Sequence, residues 1–153
     1  MKTRSVVLTF LLFVFVFSVG IAENLNIGTW KLNEAKSSIP SGTGLSTTVV
    51  YAPGAGDTTK ITTDGVDASG KPTHTEWMGK FDAKPYPVTG DPDAPYRAYK
   101  VKNEHLLLFA NMKGDKTVSN GKIQLAKDGK SRTVEMTYFE SEKIKAKYVY
   151  DKQ

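Results

Sequence analysis

Gly28-Thr29-Trp30-Lys31-Leu32 is the stretch from which the rest of the chain is read. Gly28, Trp30 and Leu32 fall on one face and Ile27, Thr29 and Lys31 on the other, the two-residue period of a strand. A tryptophan between a glycine and a leucine suits a close-packed barrel floor. The glycine lets a neighbouring segment approach, and the indole covers it. Gly28 and Trp30 are therefore expected to be structural, within a first strand running from Asn26 to Leu32.

Downstream, strand patterns alternate with turn signals. Asn33 to Ser38 has the makings of one helical turn, with Asn33 as N-cap and Pro40 and Gly42 ending it. Strands are predicted over Leu45 to Tyr51, Thr58 to Val66, Thr73 to Phe81, Tyr96 to Lys102, His105 to Met112, Thr117 to Leu125, Arg132 to Glu140 and Lys143 to Asp151. Tyr86 to Pro95 holds three prolines, too many for a central strand, and reads as a structured loop. The fold class is all-β. It is an antiparallel up-and-down β-barrel of about eight to ten strands, closed so that no edge is left open.

The alternation also sorts the interior. Lys143, Lys145 and Lys147 face out while Ile144, Ala146, Tyr148 and Tyr150 face in. The other predicted inward sets include Leu45/Thr47/Val49/Tyr51, Ile61/Thr63, Thr73/Thr75/Trp77/Phe81, Leu107/Phe109/Asn111, Ser119/Ile123/Leu125 and Val134/Met136/Tyr138. Threonine and tyrosine recur among the aliphatics. Each hydroxyl buried without a partner costs about 1–3 kcal/mol. A mixed lining of this kind therefore suits a partly hydrated pocket better than a solid core. Barrels of this size either fill with side chains or hold one small ligand.

The chain has 153 residues, enough for one domain with a substantial core. It has no cysteine, which excludes disulfides, zinc–thiolate sites and thiol nucleophiles. His74 and His105 are its two histidines. With 21 basic and 16 acidic groups the net charge is +5. The basic excess lies in the C-terminal part, where in-phase lysines read as a solvated strand face, so no nucleic-acid partner is expected. Lys2 and Arg4, an apolar run from Val6 to Val19 and Gly20-Ile21-Ala22 form a secretory signal over residues 1–22. Retention as a membrane anchor is the alternative. Residues 23–153 are then the barrel domain, located in the periplasm or outside the cell, with no stable membrane association after cleavage.

GTWKL at 28–32 resembles the calycin superfamily, the lipocalins and fatty-acid-binding proteins. Val149-Tyr150-Asp151-Lys152 resembles the last strand of the fatty-acid-binding proteins. The ordered set GTWKLNEAKS, DGVDASGKPTHTEW, YPVTGDPDA and YVYDKQ is similar to a group of secreted bacterial lipocalin-like proteins. That resemblance implies the barrel and export, and no established activity. Fatty-acid-binding proteins hold a carboxylate with an Arg-x-Tyr in the final strand. Here Tyr150 matches the tyrosine, but Tyr148 stands at the arginine position. Their helical lid also does not fit between Leu32 and Leu45. The fatty-acid specificity therefore does not carry over. Arg97 and Arg132 are the remaining arginines of the barrel. Each has three readings: an inward anion anchor, packing across the base near Trp30, or a surface role.

Other chemistry is sparse. Asp82, Asp91 and Asp93 flank the proline-rich loop and read as turn-stabilising side chains, with no metal site. His74 and Glu76 share a face with Lys80, an exposed polar pattern. No phosphate-cradling glycine loop or nucleophile elbow occurs, so no enzyme activity, catalytic residue or cofactor is expected. The function expected is a secreted or periplasmic barrel binding a small apolar or amphipathic ligand, with Trp77, Tyr138, Tyr148, Tyr150 and Arg97 at the site. The alternative is a cell-envelope module with a filled barrel, meeting a protein partner through Tyr86 to Pro95.

Overall fold

The computed structural model describes residues 25–139 and 143–153. The signal-peptide reading of residues 1–22 lies outside them. Ten antiparallel strands follow one another around a closed barrel: β1 (Gly28–Leu32), β2 (Leu45–Pro53), β3 (Thr59–Val66), β4 (Pro72–Gly79), β5 (Asp82–Thr89), β6 (Tyr96–Asn103), β7 (Leu106–Lys113), β8 (Lys116–Leu125), β9 (Ser131–Phe139) and β10 (Lys143–Lys152). Each strand pairs with its neighbour in sequence. β1 then closes the ring against β10 through Trp30↔Lys152, Lys31↔Asp151 and Leu32↔Tyr150.

Trp30 is fully buried at the base of the barrel, and its Nε1 donates to the Asn26 carbonyl at 2.7 Å. Gly28 has φ +131°, a conformation that L side chains rarely adopt. The segment crowding Gly28 is not a strand backbone but the Lys152 side chain, whose Cε would lie 2.7 Å from a Cβ at this position. The same lysine places its Nζ 5.2 Å from the centre of the Trp30 ring. Glycine, indole and lysine stem thus form one packed unit at the seam.

Asn33 caps a single 3₁₀ turn, Glu34–Lys36, accepting from the Lys36 N–H at 3.2 Å. The segment then runs along the edge of β10, continuing the seam where β1 ends. The Asn33 N–H donates to the Val149 carbonyl at 2.8 Å, the Val149 N–H donates to Ser37 Oγ at 2.9 Å, and Ser38 bridges Lys147. This cover explains why Val149 is buried although it alternates to the outer face. It also draws the β1–β2 connection down the wall.

The proline-rich loop needs correction: Asp82–Thr89 is a strand. Its ladder to β4 is limited to Glu76↔Thr89 and Trp77↔Val88. Pro85 and Pro87 take their register from β6, opposite Ala98 and Tyr96. Where the ladder to β4 has ended, β5 behaves as an edge strand, and edges tolerate proline. The Tyr86 ring packs where a Gly79 side chain would otherwise sit, 2.5 Å from a Cβ built there. The segment left as loop is Gly90–Pro95.

On the outer face, His74 Nδ1 lies 2.6 Å from Asp64 Oδ1, and its Nε2 lies 3.8 Å from Glu76 Oε1. The hydrogen bond to Asp64 raises the imidazole pKa above its ordinary value. A raised folded pKa means that the contact's contribution to stability is full below about pH 6.5 and is lost as pH rises through the folded value. An NMR titration should therefore place the His74 midpoint above about 6.5, and Asp64→Asn should bring it back. A wild-type midpoint at or below that value would contradict the pairing. Replacing Trp30 by alanine should cost about 3–5 kcal/mol of unfolding free energy in urea, with a smaller loss for Trp30→Phe.

Candidate functional site

The interior contains a cavity of about 740 Å³. In an up-and-down barrel alternate turns share an end. Asp67 and Ala68, Gly90 to Ala94, and Lys113 and Lys116 belong to turns at one end, and all of them border the cavity. The opposite end is plugged by Trp30 and Leu125, both at most 2% exposed. The cavity therefore has a floor near Trp30 and a mouth at the β3–β4, β5–β6 and β7–β8 turns. The β1–β2 connection follows β10 as far as Ser38, and its far end, Gly44, borders the cavity at the mouth.

The lining is mixed, as the alternation predicts. Ile61, Phe109, Ile123, Val134 and Met136 supply apolar surface, and Thr63, Thr73 and Thr75 supply hydroxyls. Tyr51, Tyr99, Tyr138 and Tyr150 also border it. Tyr150 donates its hydroxyl to the Ser46 carbonyl at 2.9 Å. Tyr138 and Tyr148 share a hydrogen bond of 2.9 Å between their hydroxyls. Burial pushes the Tyr51, Tyr138 and Tyr150 hydroxyls above the ordinary tyrosine range, so they are neutral donors at physiological pH.

Of the side chains singled out from sequence, Tyr138, Tyr150 and Arg97 border the cavity. Tyr148 stands behind Tyr138 and orients its hydroxyl. Trp77 is set apart. It is 1% exposed and packs against Phe81, Tyr86 and Tyr99 with ring centroids 4.9–5.9 Å away. Its Nε1 donates to the Arg97 carbonyl at 2.9 Å. Trp77 thus braces β6 from inside the barrel, beside the cavity. His74 and Glu76 lie on the outer surface.

Both barrel arginines turn inward. Arg97 is held from two sides. Its Nε donates to Asn111 Oδ1, whose Nδ2 donates to Ser119 Oγ at 2.8 Å, and its Nη2 lies 3.9 Å from Asp91 Oδ2. Burial opposes the guanidinium charge, but Tyr99 and Asp91 outweigh that effect, and the Arg97 pKa is raised. Asp91 also accepts from the Ala94 N–H at 3.0 Å, so one carboxylate both shapes the β5–β6 turn and meets the cavity cation. Asp93 makes a second tie from the same turn, to Lys113 Nζ at 3.2 Å.

Arg132 occupies the floor. It is 2% exposed, and its guanidinium carbon lies 4.6 Å from the Trp30 ring centre, 4.6 Å from Tyr51 and 5.2 Å from Tyr150. Of the three readings open in sequence, packing near Trp30 is the one realised. Its position in phase with Val134, Met136 and Tyr138 was the signal that placed it inside. Tyr51, Tyr99 and Ser119 complete the polar inventory; Tyr51 and Ser119 belong to predicted inward sets, and Tyr99 was not among them.

No family model and no curated protein sequence matches the chain. Solved structures similar to it include a redesigned β-barrel, mFAP1, bound to DFHBI. That structure has 16% identity and a TM-score of 0.48, with 86% of this chain and 98% of that one covered. A second, EF1p2_mFAP2b bound to DFHBI, has 15% identity and a TM-score of 0.47 over 86% and 97% of the two chains. The barrel assignment rests on this chain's own strand pairing, which fits a calycin-like fold.

The raised tyrosines make a testable signature. Their unfolded pKa is about 10, and their folded values are higher, so the folded state retains protons that the unfolded state has released. Stability is therefore full below pH 10 and falls as pH rises beyond it. Ultraviolet titration should show a tyrosine fraction that ionises only with alkaline unfolding. In Tyr138→Phe that fraction should shrink. Ionisation of every tyrosine near pH 10 in the folded protein would contradict the buried placement.

Proposed function

We propose that this barrel is a carrier for a small apolar or amphipathic molecule held in its interior. The observation that carries the reading is the cavity itself. At about 740 Å³ it falls within the usual range of ligand sites, it opens at one end, and it is walled by aromatic and aliphatic side chains with a few oriented polar groups. Apolar burial would supply the affinity. The Tyr138, Tyr150 and Arg97 polar groups would fix the ligand's orientation. A barrel of purely structural purpose would gain packing energy by filling this volume, since interiors close-pack wherever nothing requires otherwise.

In the same reading the leader exports the domain, which acts in the periplasm or outside the cell as a lipocalin-like protein. No catalytic role is assigned to it. Native mass spectrometry of protein purified from its own host should retain a small-molecule adduct that is lost on mild activation. N-phenyl-1-naphthylamine, a neutral probe that fluoresces in apolar surroundings, should bind the empty protein at a single site. Met136→Trp, which fills cavity volume, should weaken that binding at least about tenfold while costing no more than about 1–3 kcal/mol of stability. An unchanged affinity in a folded Met136→Trp protein would place the probe elsewhere and defeat the reading.

A further inference from the structure

The outer wall of the barrel carries a second hollow, of about 880 Å³, which the carrier reading does not use. It crosses β6 to β10 near the middle of each strand, from Ala83 at one end to Ser38 at the other. Strand register lays two rows across its bed. Ala98, Ala110, Asn120, Thr137 and Lys145 stand side by side in one row, and Lys100, Leu108, Lys122, Glu135 and Lys147 in the next. They alternate with the inward Tyr99, Phe109, Met136 and Ala146, so both rows point outward. The bed is low where Ala98 and Ala110 meet, and Leu108 is half-buried between Lys100 and Lys122.

Four lysines against Glu135 alone leave the hollow with three positive charges in excess. Lys122 is held by Glu135 at 3.0 Å. Among the described residues, Lys100, Lys145 and Lys147 belong to no ion pair. Lys145 and Lys147 also stand on one face of β10 only about 7 Å apart along the strand, a repulsion that an anion between them would relieve. The arrangement narrows the class of partner. The apolar surface lies beneath the charges rather than projecting past them, the reverse of a membrane-binding face. No aromatic ring faces outward here, so a base or a sugar ring finds no stacking platform. Each strand is already paired on both sides, so no further strand can join the sheet, and recognition must run through side chains.

We propose that this hollow is a docking groove for an extended acidic segment of a partner protein, laid across β6 to β10 with its carboxylates on the lysine row and small apolar side chains over Ala98, Leu108 and Ala110. The lysine row sets the spacing. Lys100, Lys122 and Lys147 stand on alternate strands, about 9.6 Å apart from backbone to backbone. A polyproline-II chain repeats every three residues, about 9.3 Å. An acidic residue at every third position therefore meets all three lysines from one side, and about seven residues span the row. Glu135, between Lys122 and Lys147 in the row, repels an unbroken acidic run. The proposal stands apart from the carrier reading, because the barrel wall separates the groove from the cavity.

The test titrates isotope-labelled protein with two end-blocked peptides of one composition, read by amide NMR shifts. One peptide carries three glutamates, each third in turn, among alanine and proline; the other carries the same glutamates in one run. The spaced peptide should bind more tightly, and its shifts should concentrate on residues 98–100, 108–110, 120–122, 135–137 and 145–147. Lys100→Glu combined with Lys147→Glu should weaken it at least about tenfold. Ala110→Phe, which keeps every charge but fills the bed, should weaken it as much, while Lys71→Gln in the β3–β4 turn should leave it unchanged. N-phenyl-1-naphthylamine should stay bound when the peptide saturates. Shifts elsewhere, no shift at millimolar peptide, equal binding of the two peptides, an affinity that Ala110→Phe leaves intact, or displacement of the neutral probe would each overturn the groove. So would tighter lysine-dependent binding of a heparin oligosaccharide or of phosphatidylglycerol vesicles, or a dimer in sedimentation that Ala110→Phe removes. The occupant would then be a glycan, a membrane or a second copy of this chain. Should a variant fail to fold, the shift map and the peptide comparison on the wild type decide the matter.

Discussion

The guanidinium of Arg132, packed against Trp30, Tyr51 and Tyr150, is the contact on which the barrel depends. The four residues come from β9, β1, β2 and β10, the strands on either side of the closing seam. That seam is thin. β1 has five residues, and three of them pair with β10. So short a ladder gives little cooperativity of its own. A planar cation touching one ring from each neighbouring strand ties the seam together from inside, at about 2 kcal/mol or more for a desolvated cation–π contact. Lys152 repeats the arrangement from the other side of Trp30.

The same contact sets the character of the interior. A guanidinium at the floor puts polar atoms where a solid apolar core would need aliphatic ones. The hydroxyls of Thr63, Thr73 and Thr75 act in the same direction. An up-and-down barrel of ten strands is wide enough to leave space at its centre. In this one, the polar groups on the inner face give that space a reason to persist. The apolar weight moves to one side, into the stacked and edge-on rings around Trp77. Those rings pack inside the barrel against β6 and stiffen the wall where the ladder between β4 and β5 is short.

Charges at the mouth have a different task. Asp91 and Asp93 hold the β5–β6 turn to Arg97 and Lys113, so the most proline-rich part of the chain is fixed to the cavity rim by ion pairs rather than by a ladder. Asp91 keeps the predicted turn role through the Ala94 N–H, and both carboxylates also tie the turn to the adjoining strands β6 and β7.

Local pattern decided most of the architecture. The two-residue alternation from Leu45 to Asp151 set strand phase, and with it the inward placement of Tyr138, Tyr150 and Asn111, because a strand cannot turn a residue inward without turning its neighbour outward. The Gly28–Leu32 stretch marked the floor for the same reason. What the pattern could not carry was any relation between strands. Pro85 and Pro87 argued against a strand because proline's penalty depends on whether a neighbour needs the missing N–H, and only the sparse pairing to β4 answers that. Trp77 shared a face with the cavity residues, yet the rings of Phe81, Tyr86 and Tyr99 enclose it, and two of these come from the strands β5 and β6. Arg132 had three readings in the sequence. Burial among three aromatic rings, from strands more than a hundred residues apart in the chain, selected one of them. The sequence by itself determined which side chains look inward. The tertiary structure alone decided which of them meet.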